Sequence, residues 1–312
     1  MGMPLFNVFD LSEQKSLFSS LRTAGPSHAW RLMTELNQYH QASYLENVPS
    51  AEHPDAIRER TLTFMRKAPM LAGRDVNGQA TLFSTYGPRL QFDSAYISLW
   101  LSDKNTLFNQ VIAVKGHEHL HDAQRRGNGV LALPLHIGPS YPIGPVMAHD
   151  IPVSLVYNRM NFAAMKELAF PALDVEAHRL ESQPTFRQAL TALRAGRAFS
   201  IFPELDPRGI DNHHRRVSFL GTTVYAPLGP VLISFASGAP MLPVSLRSIG
   251  DGHFEFEYHE PIFAPQSRED APEILHTLWA VIENVLLAGN FGEWEMWYEF
   301  DRMIAAPDKV IP

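Results

Sequence analysis

The sequence predicts an α/β fold in which a sheet carries helices on its faces, preceded by a helical N-terminal region. Three observations predict it. From Val111 onward, short β-branched or apolar runs alternate with stretches of helical periodicity. Glycines stand where those helical stretches end and the next run begins, at Gly127 and Gly129, Gly196 and Gly238. A helix C-terminus commonly needs a left-handed residue there. The segment before Val111 has no such alternation and instead spaces apolar residues for helices, as with Leu32, Leu36 and Tyr39, and with Ile57, Leu62 and Met65.

In chain order, residues 1–108 form the expected helical region and residues 109–312 the α/β domain. Strands are expected at Val111–Val114, Val130–Leu135, Val153–Tyr157, Phe199–Phe202, Met241–Leu246 and Phe254–Tyr258. Helices are expected at His117–Arg126, Phe162–Phe170, Thr185–Ala195, Leu228–Ser237 and Ala271–Leu287. Sheets of this type carry their sites beyond the carboxyl ends of the strands. His136, Arg159 and Glu204 each follow or nearly end an expected strand, so all three are candidates on one rim.

Composition narrows the function. Hydrophobic residues make up 45% and charged residues 19% of the 312, a globular composition rather than a disordered one. Lys plus Arg number 26 against 33 Asp plus Glu, and a net charge of -7 argues against a nucleic-acid partner. With no cysteine there is no disulfide framework, thiol nucleophile or Cys-zinc site. No apolar run approaches the ~20 residues that span a bilayer. Leu5, Phe6, Val8, Phe9 and Leu11 read as an arm packed on the core, with contact to a membrane surface as the other option. The expected location is cytoplasmic, with peripheral contact at the inner membrane as that same option.

Two histidine segments compete for the chemistry. His117-Glu118-His119-Leu120-His121 matches H-E-x-x-H, which on a helix puts two imidazoles on one face for zinc, with Glu118 as base. The rest of a zinc peptidase is missing: Gln124 and Gly127 stand where the extended motif needs glycine and histidine, and no Glu occurs between Glu118 and Glu167. A solvated helix face is the favoured reading. His136 ends an apolar run and enters the turn Ile137-Gly138-Pro139-Ser140-Tyr141, where its imidazole can take up a proton near neutral pH. Arg159 reads either as a clamp for an anionic or phosphorylated substrate or as a surface ion pair. His213-His214-Arg215-Arg216 reads as a solvated basic loop or a contact for an acidic carrier, and Trp294 and Trp297 read as core packing.

Taken together, the segments resemble the lysophospholipid acyltransferase superfamily, most closely the late acyltransferases of lipid A biosynthesis. Val114-Lys-Gly116-His-Glu118-His-Leu120 and Gly127-Asn-Gly129-Val-Leu131 resemble the lead-in, and His136-Ile-Gly138 sits at the H-x4-D/E block. Val156-Tyr157-Asn-Arg159 resembles the arginine-bearing second block, and Phe202-Pro203-Glu204-Leu-Asp206-Pro-Arg208-Gly209 the third, acceptor-binding block. Phe219 to Gly229 and Ser237 to Val244 resemble the stretch ending in the fourth block, and Glu293-Trp294-Glu-Met-Trp297 is similar to a Trp-rich C-terminal helix. The resemblance covers about residues 111 to 304. It implies a glycerol-phosphate-acyltransferase-like mixed sheet flanked by helices.

It also implies that His136 is a general base activating the acceptor toward the thioester of an acyl carrier protein or coenzyme A. Arg159, Asp206 and Arg208 would bind substrate, and no metal or redox cofactor is expected. The sequence departs from the pattern in one decisive place. Five residues after His136 stands Tyr141, where the family has Asp or Glu to orient the ring. A tyrosine oxygen can accept an imidazole hydrogen bond but brings no charge. Three options follow: another acid such as Glu204 or Asp206 replaces it, the acceptor is a nucleophile needing less help, or the protein binds a ligand without turnover. The literal H-x4-D at His117 and Asp122 is the rival assignment. The expected function is acyl transfer to a hydroxyl or amine acceptor, lipid-like or a secondary metabolite. A non-catalytic acyl-ligand or carrier-protein binding module is the alternative, and a zinc peptidase the remote one.

Overall fold

The computed structural model describes residues 14–46, 48–125, 128–157, 162–180, 185–204 and 213–305. Arg159, Asp206 and Arg208, together with Gly127 and the apolar N-terminal residues 5–11, lie outside the described residues. Four helices open the described chain: α1 (Lys15–Ala24), α2 (Pro26–Leu45), α3 (Pro54–Met65) and α4 (Val76–Ser98). Asp75 caps α4 by accepting the Gly78 N–H at 2.9 Å. Ile57, Leu62 and Met65 are buried, as their spacing suggests. Leu32, Leu36 and Tyr39 do lie on a helix, but their face points to solvent and Tyr39 is 82% exposed. α2 instead buries Ala29 and Met33, and Trp30 packs edge-on against Phe92 and Tyr96 of α4.

A single turn, α5 (Lys104–Thr106), leads to β1 (Ile112–Lys115) and then α6 (His117–Gln124), β2 (Val130–Pro134), α7 (Ile143–Met147), β3 (Val153–Tyr157) and α8 (Phe162–Ala169). There follow β4 (Val175–Arg179), α9 (Thr185–Arg194), β5 (Ala198–Ser200), β6 (His214–Phe219), β7 (Thr222–Pro227) and α10 (Gly229–Ser237). The chain closes with β8 (Met241–Gly250), β9 (His253–Tyr258), α11 (Ala271–Ala288) and the short helix α12 (Phe300–Met303).

Seven strands form one sheet in the order β1-β9-β8-β2-β5-β3-β4. β8, β2, β5, β3 and β4 run parallel, while the β8–β9 pair is antiparallel and β1 follows β9. The sheet is therefore mixed but mostly parallel, and helices cover it. β2, at its centre, is buried at every position, which is why it reads as an unbroken apolar run rather than an alternating one. Its residues still alternate between two cores. Val130 and Ala132 join a core with α1, α2, α6 and α8, whereas Leu131, Leu133 and Leu135 join a second with α3, α9, α10 and α11.

The expected strands are all present, β3 with the expected ends and the others with shifted ends. Gly129, Gly196 and Gly238 adopt the positive φ their positions call for. Two features were not expected: β4, an edge strand of mixed polarity, and the β6–β7 hairpin, which stands apart from the sheet and packs on α11. Among the described residues, no helix is long and apolar enough to cross a membrane.

Candidate active site

Because β2 and β5 are parallel neighbours, they end on the same edge of the sheet, with Ala132 in register with Ser200. The residues that leave those ends therefore meet. His136 leaves β2, and Phe202-Pro203-Glu204 leaves β5. The Glu204 carboxylate is 1% exposed and engages His136 twice. Its Oε1 accepts the His136 backbone N–H at 2.9 Å, and its Oε2 lies 2.8 Å from His136 Nδ1. A third donor, the indole N–H of Trp294, reaches Oε1 at 3.2 Å. With the carboxylate ionised, Nδ1 carries the ring proton and donates it, leaving Nε2 as the basic nitrogen. The Phe202 ring stacks on the imidazole with centroids 3.9 Å apart and planes 25° apart.

The histidine pKa is raised. Burial alone pushes it down, but the Glu204 charge, the hydrogen bond that Glu204 accepts from the ring and the charge of Glu295 together lift it above the ordinary value. The imidazolium is thus stabilised by the acid that orients the ring, the relationship a general base needs when it takes up a proton.

The loop that carries His136 is held from both sides. The Glu295 N–H donates to the His136 carbonyl at 2.8 Å, Ile137 bridges Trp294 in antiparallel fashion, and the Gly138 N–H reaches the Glu293 carbonyl at 3.3 Å. Gly138 has φ +70°, and a Cβ there would stand 1.8 Å from the Leu246 carbonyl oxygen. No other residue fits this close approach of two backbones.

The other expected residues fall as follows. Tyr141 sits half-buried in the turn before α7 and packs on the first core, while Nδ1 of His136 is taken by Glu204. Glu204, one of the two acids named as a replacement, stands beside the ring; the other, Asp206, lies outside the described residues. His117 is 48% exposed and pairs with Asp150 at 3.1 Å, and the same Asp150 oxygen accepts from Tyr258 OH at 3.1 Å. Asp122 is bonded to Arg125 instead, so the spacing His117 to Asp122 does not make a pair. The rings of His117 and His121 do share a helix face, with centroids 6.4 Å apart. Among the described residues, no three metal-capable side chains converge. Trp294 and Trp297 are core residues as expected, each 0% exposed, but Trp294 also touches the site acid, which its sequence context did not signal.

The profile of the bacterial lipid A biosynthesis acyltransferase family matches residues 91–294, about two-thirds of the chain. The chain belongs to this family. It is an acyltransferase, and the matched span runs from the second half of α4 through both partners of the His136–Glu204 pair to Trp294. No curated protein matches the chain. In this acyltransferase, the carboxylate at Nδ1 of His136 lies 68 residues further along the chain, and the position five residues on is Tyr141.

Proposed function

We propose that His136 and Glu204 form the general-base dyad with which this acyltransferase moves an acyl chain from a carrier-protein or coenzyme A thioester to a hydroxyl or amine of a lipid-like acceptor. The observation that carries the reading is the two-point grip of Glu204 on the ring nitrogen and the backbone of His136. In the forward reaction Nε2 takes the acceptor proton as the acceptor oxygen or nitrogen attacks the thioester carbonyl. The tetrahedral intermediate collapses with cleavage of the C–S bond, and the imidazolium returns its proton to the leaving thiolate. Glu204 stays ionised throughout and holds Nδ1–H in place, favouring the imidazolium that forms between the two transfers. Arg159, Asp206 and Arg208 keep their proposed role in holding the substrate.

The test is release of free thiol from acyl-carrier-protein and acyl-coenzyme A donors with a lipid extract as acceptor, and mass spectrometry of the products. Thiol release matched by an acylated acceptor supports the reading, and the better donor names the carrier. Saturable donor binding without thiol release would overturn it in favour of a binding module.

A further inference from the structure

We propose that Trp294 is a positioning residue for the acyl-transfer dyad: its indole N–H holds the plane of the Glu204 carboxylate in the orientation that faces His136 Nδ1. The inference rests on the dyad reading and extends it to a residue outside the histidine and carboxylate motifs.

The carboxylate of Glu204 has two oxygens and three donors on them. Oε1 takes the His136 backbone N–H and the Trp294 indole N–H, and Oε2 takes the imidazole. Without the indole, the two bonds to His136, one on each oxygen, would have to hold the carboxylate against its last torsion, which is intrinsically broad. The two oxygens are equivalent, so what the second donor on Oε1 adds is a narrower range for that torsion.

Trp294 is itself immobilised. Its ring packs on Phe219 at 5.3 Å, Trp297 at 5.1 Å and Phe300 at 6.0 Å, and its backbone bridges Ile137, next to His136. The strap Glu293–Glu295 therefore holds the His136 loop through two backbone hydrogen bonds, which form the Ile137–Trp294 bridge, and holds Glu204 through one side chain. A tryptophan needed only for packing has other outlets for its N–H. Trp297, in the same aromatic cluster, gives its N–H to the Phe291 carbonyl at 2.6 Å. Trp294 gives its N–H to the buried carboxylate of the site. A hydrogen bond to a buried charge is among the stronger ones a protein makes.

The closing experiment compares wild type, Trp294→Phe, His136→Ala and a protein with β-(3-benzothienyl)alanine incorporated at 294. The last keeps the bicyclic shape and removes only the N–H, so it remains informative where Trp294→Phe fails to fold. Both variants at 294 should lose about 10–100-fold in kcat with KM nearly unchanged. The acid limb of the pH–rate profile should also move to lower pH, because a loosened Glu204 supports the imidazolium less, leaving Glu295 as the other acid acting on the ring. A benzothienyl protein with wild-type kcat, or one slowed equally at every pH, would overturn the positioning role while a dead His136→Ala left the dyad standing. An active His136→Ala would remove the dyad and this inference together.

Discussion

Replacing Glu204 by glutamine tests the electrostatic half of the site while changing its shape hardly at all. The glutamine carbonyl can sit where Oε1 sits and keep the His136 and Trp294 N–H bonds. That choice places the NH2 group opposite His136 Nδ1, where Oε2 lay at 2.8 Å. Two donors would then face each other. Relief comes from moving the ring proton to Nε2, so that Nδ1 accepts from the amide. The base then has its lone pair on the wrong nitrogen. Where the acid of a buried acid–histidine pair is converted to the amide in a serine protease, the loss is about 10⁴ in kcat. We expect a fall of roughly 10²–10⁴ here, since general-base catalysis itself is worth that range. The histidine pKa, held above the ordinary value by Glu204, should fall as well. A base works when neutral, so the residual activity should persist to lower pH than in wild type. The assay is thiol release against pH, with nitrogen-15 chemical shifts of His136 reporting the tautomer. A Glu204→Gln enzyme within about threefold of wild type, or one whose ring still protonates Nδ1, would refute the reasoning.

Tyr141→Phe should cost less than about tenfold in turnover, because Glu204 occupies Nδ1 and at most one neutral hydrogen bond disappears; steady-state rates check it. Gly138→Ala should destabilise by at least ~2 kcal/mol and lower activity with it, since a left-handed backbone and a carbonyl 1.8 Å from the new Cβ both oppose it; thermal unfolding is the readout. Asp93→Asn should stabilise the protein increasingly as pH rises from about 4 to 7, with little further change above that. Asp93 is buried with the Arg89 guanidinium 3.6 Å from its carboxylate, and burial outweighs that partner and pushes its pKa up to about 7. The folded state thus resists an ionisation that the unfolded chain undergoes near 4, so wild-type stability falls as pH rises from about 4 to 7. The difference between variant and wild type should be about 2–4 kcal/mol at pH 8 and vanish near pH 4, read by denaturant unfolding.

The sequence made the central strands legible because burial on both faces leaves unbroken apolar runs; β3 was expected and found at Val153–Tyr157. β4 escaped because Val175–Arg179 is an edge strand with Glu176, His178 and Arg179 in it. The β6–β7 hairpin escaped because its turn is Leu220-Gly221, with Leu220 at φ 51°, rather than an Asn-Gly or Asp-Gly pair. Leu32, Leu36 and Tyr39 announced a helix correctly but not its orientation, which tertiary packing of Trp30 and Met33 decides. At the site, His136 and Glu204 were both recognisable as strand-end residues, yet spacing along the chain could not pair them. Their meeting depends on β2 and β5 being neighbours, a fact of topology. Trp294 lies 90 residues beyond Glu204, and an indole that packs and an indole that also donates to a carboxylate look alike in a sequence.

The measurement that bears most directly on the account is turnover of His136→Ala and His117→Ala side by side, each shown folded by its unfolding transition. With the dyad as the base, His136→Ala should lose at least about 100-fold while still binding donor. His117→Ala should stay near wild type, since that side chain is half-exposed and pairs with Asp150 at the surface of α6. Loss of activity in His117→Ala with retention in His136→Ala would contradict the account and move the chemistry to the His117–Asp150 pair.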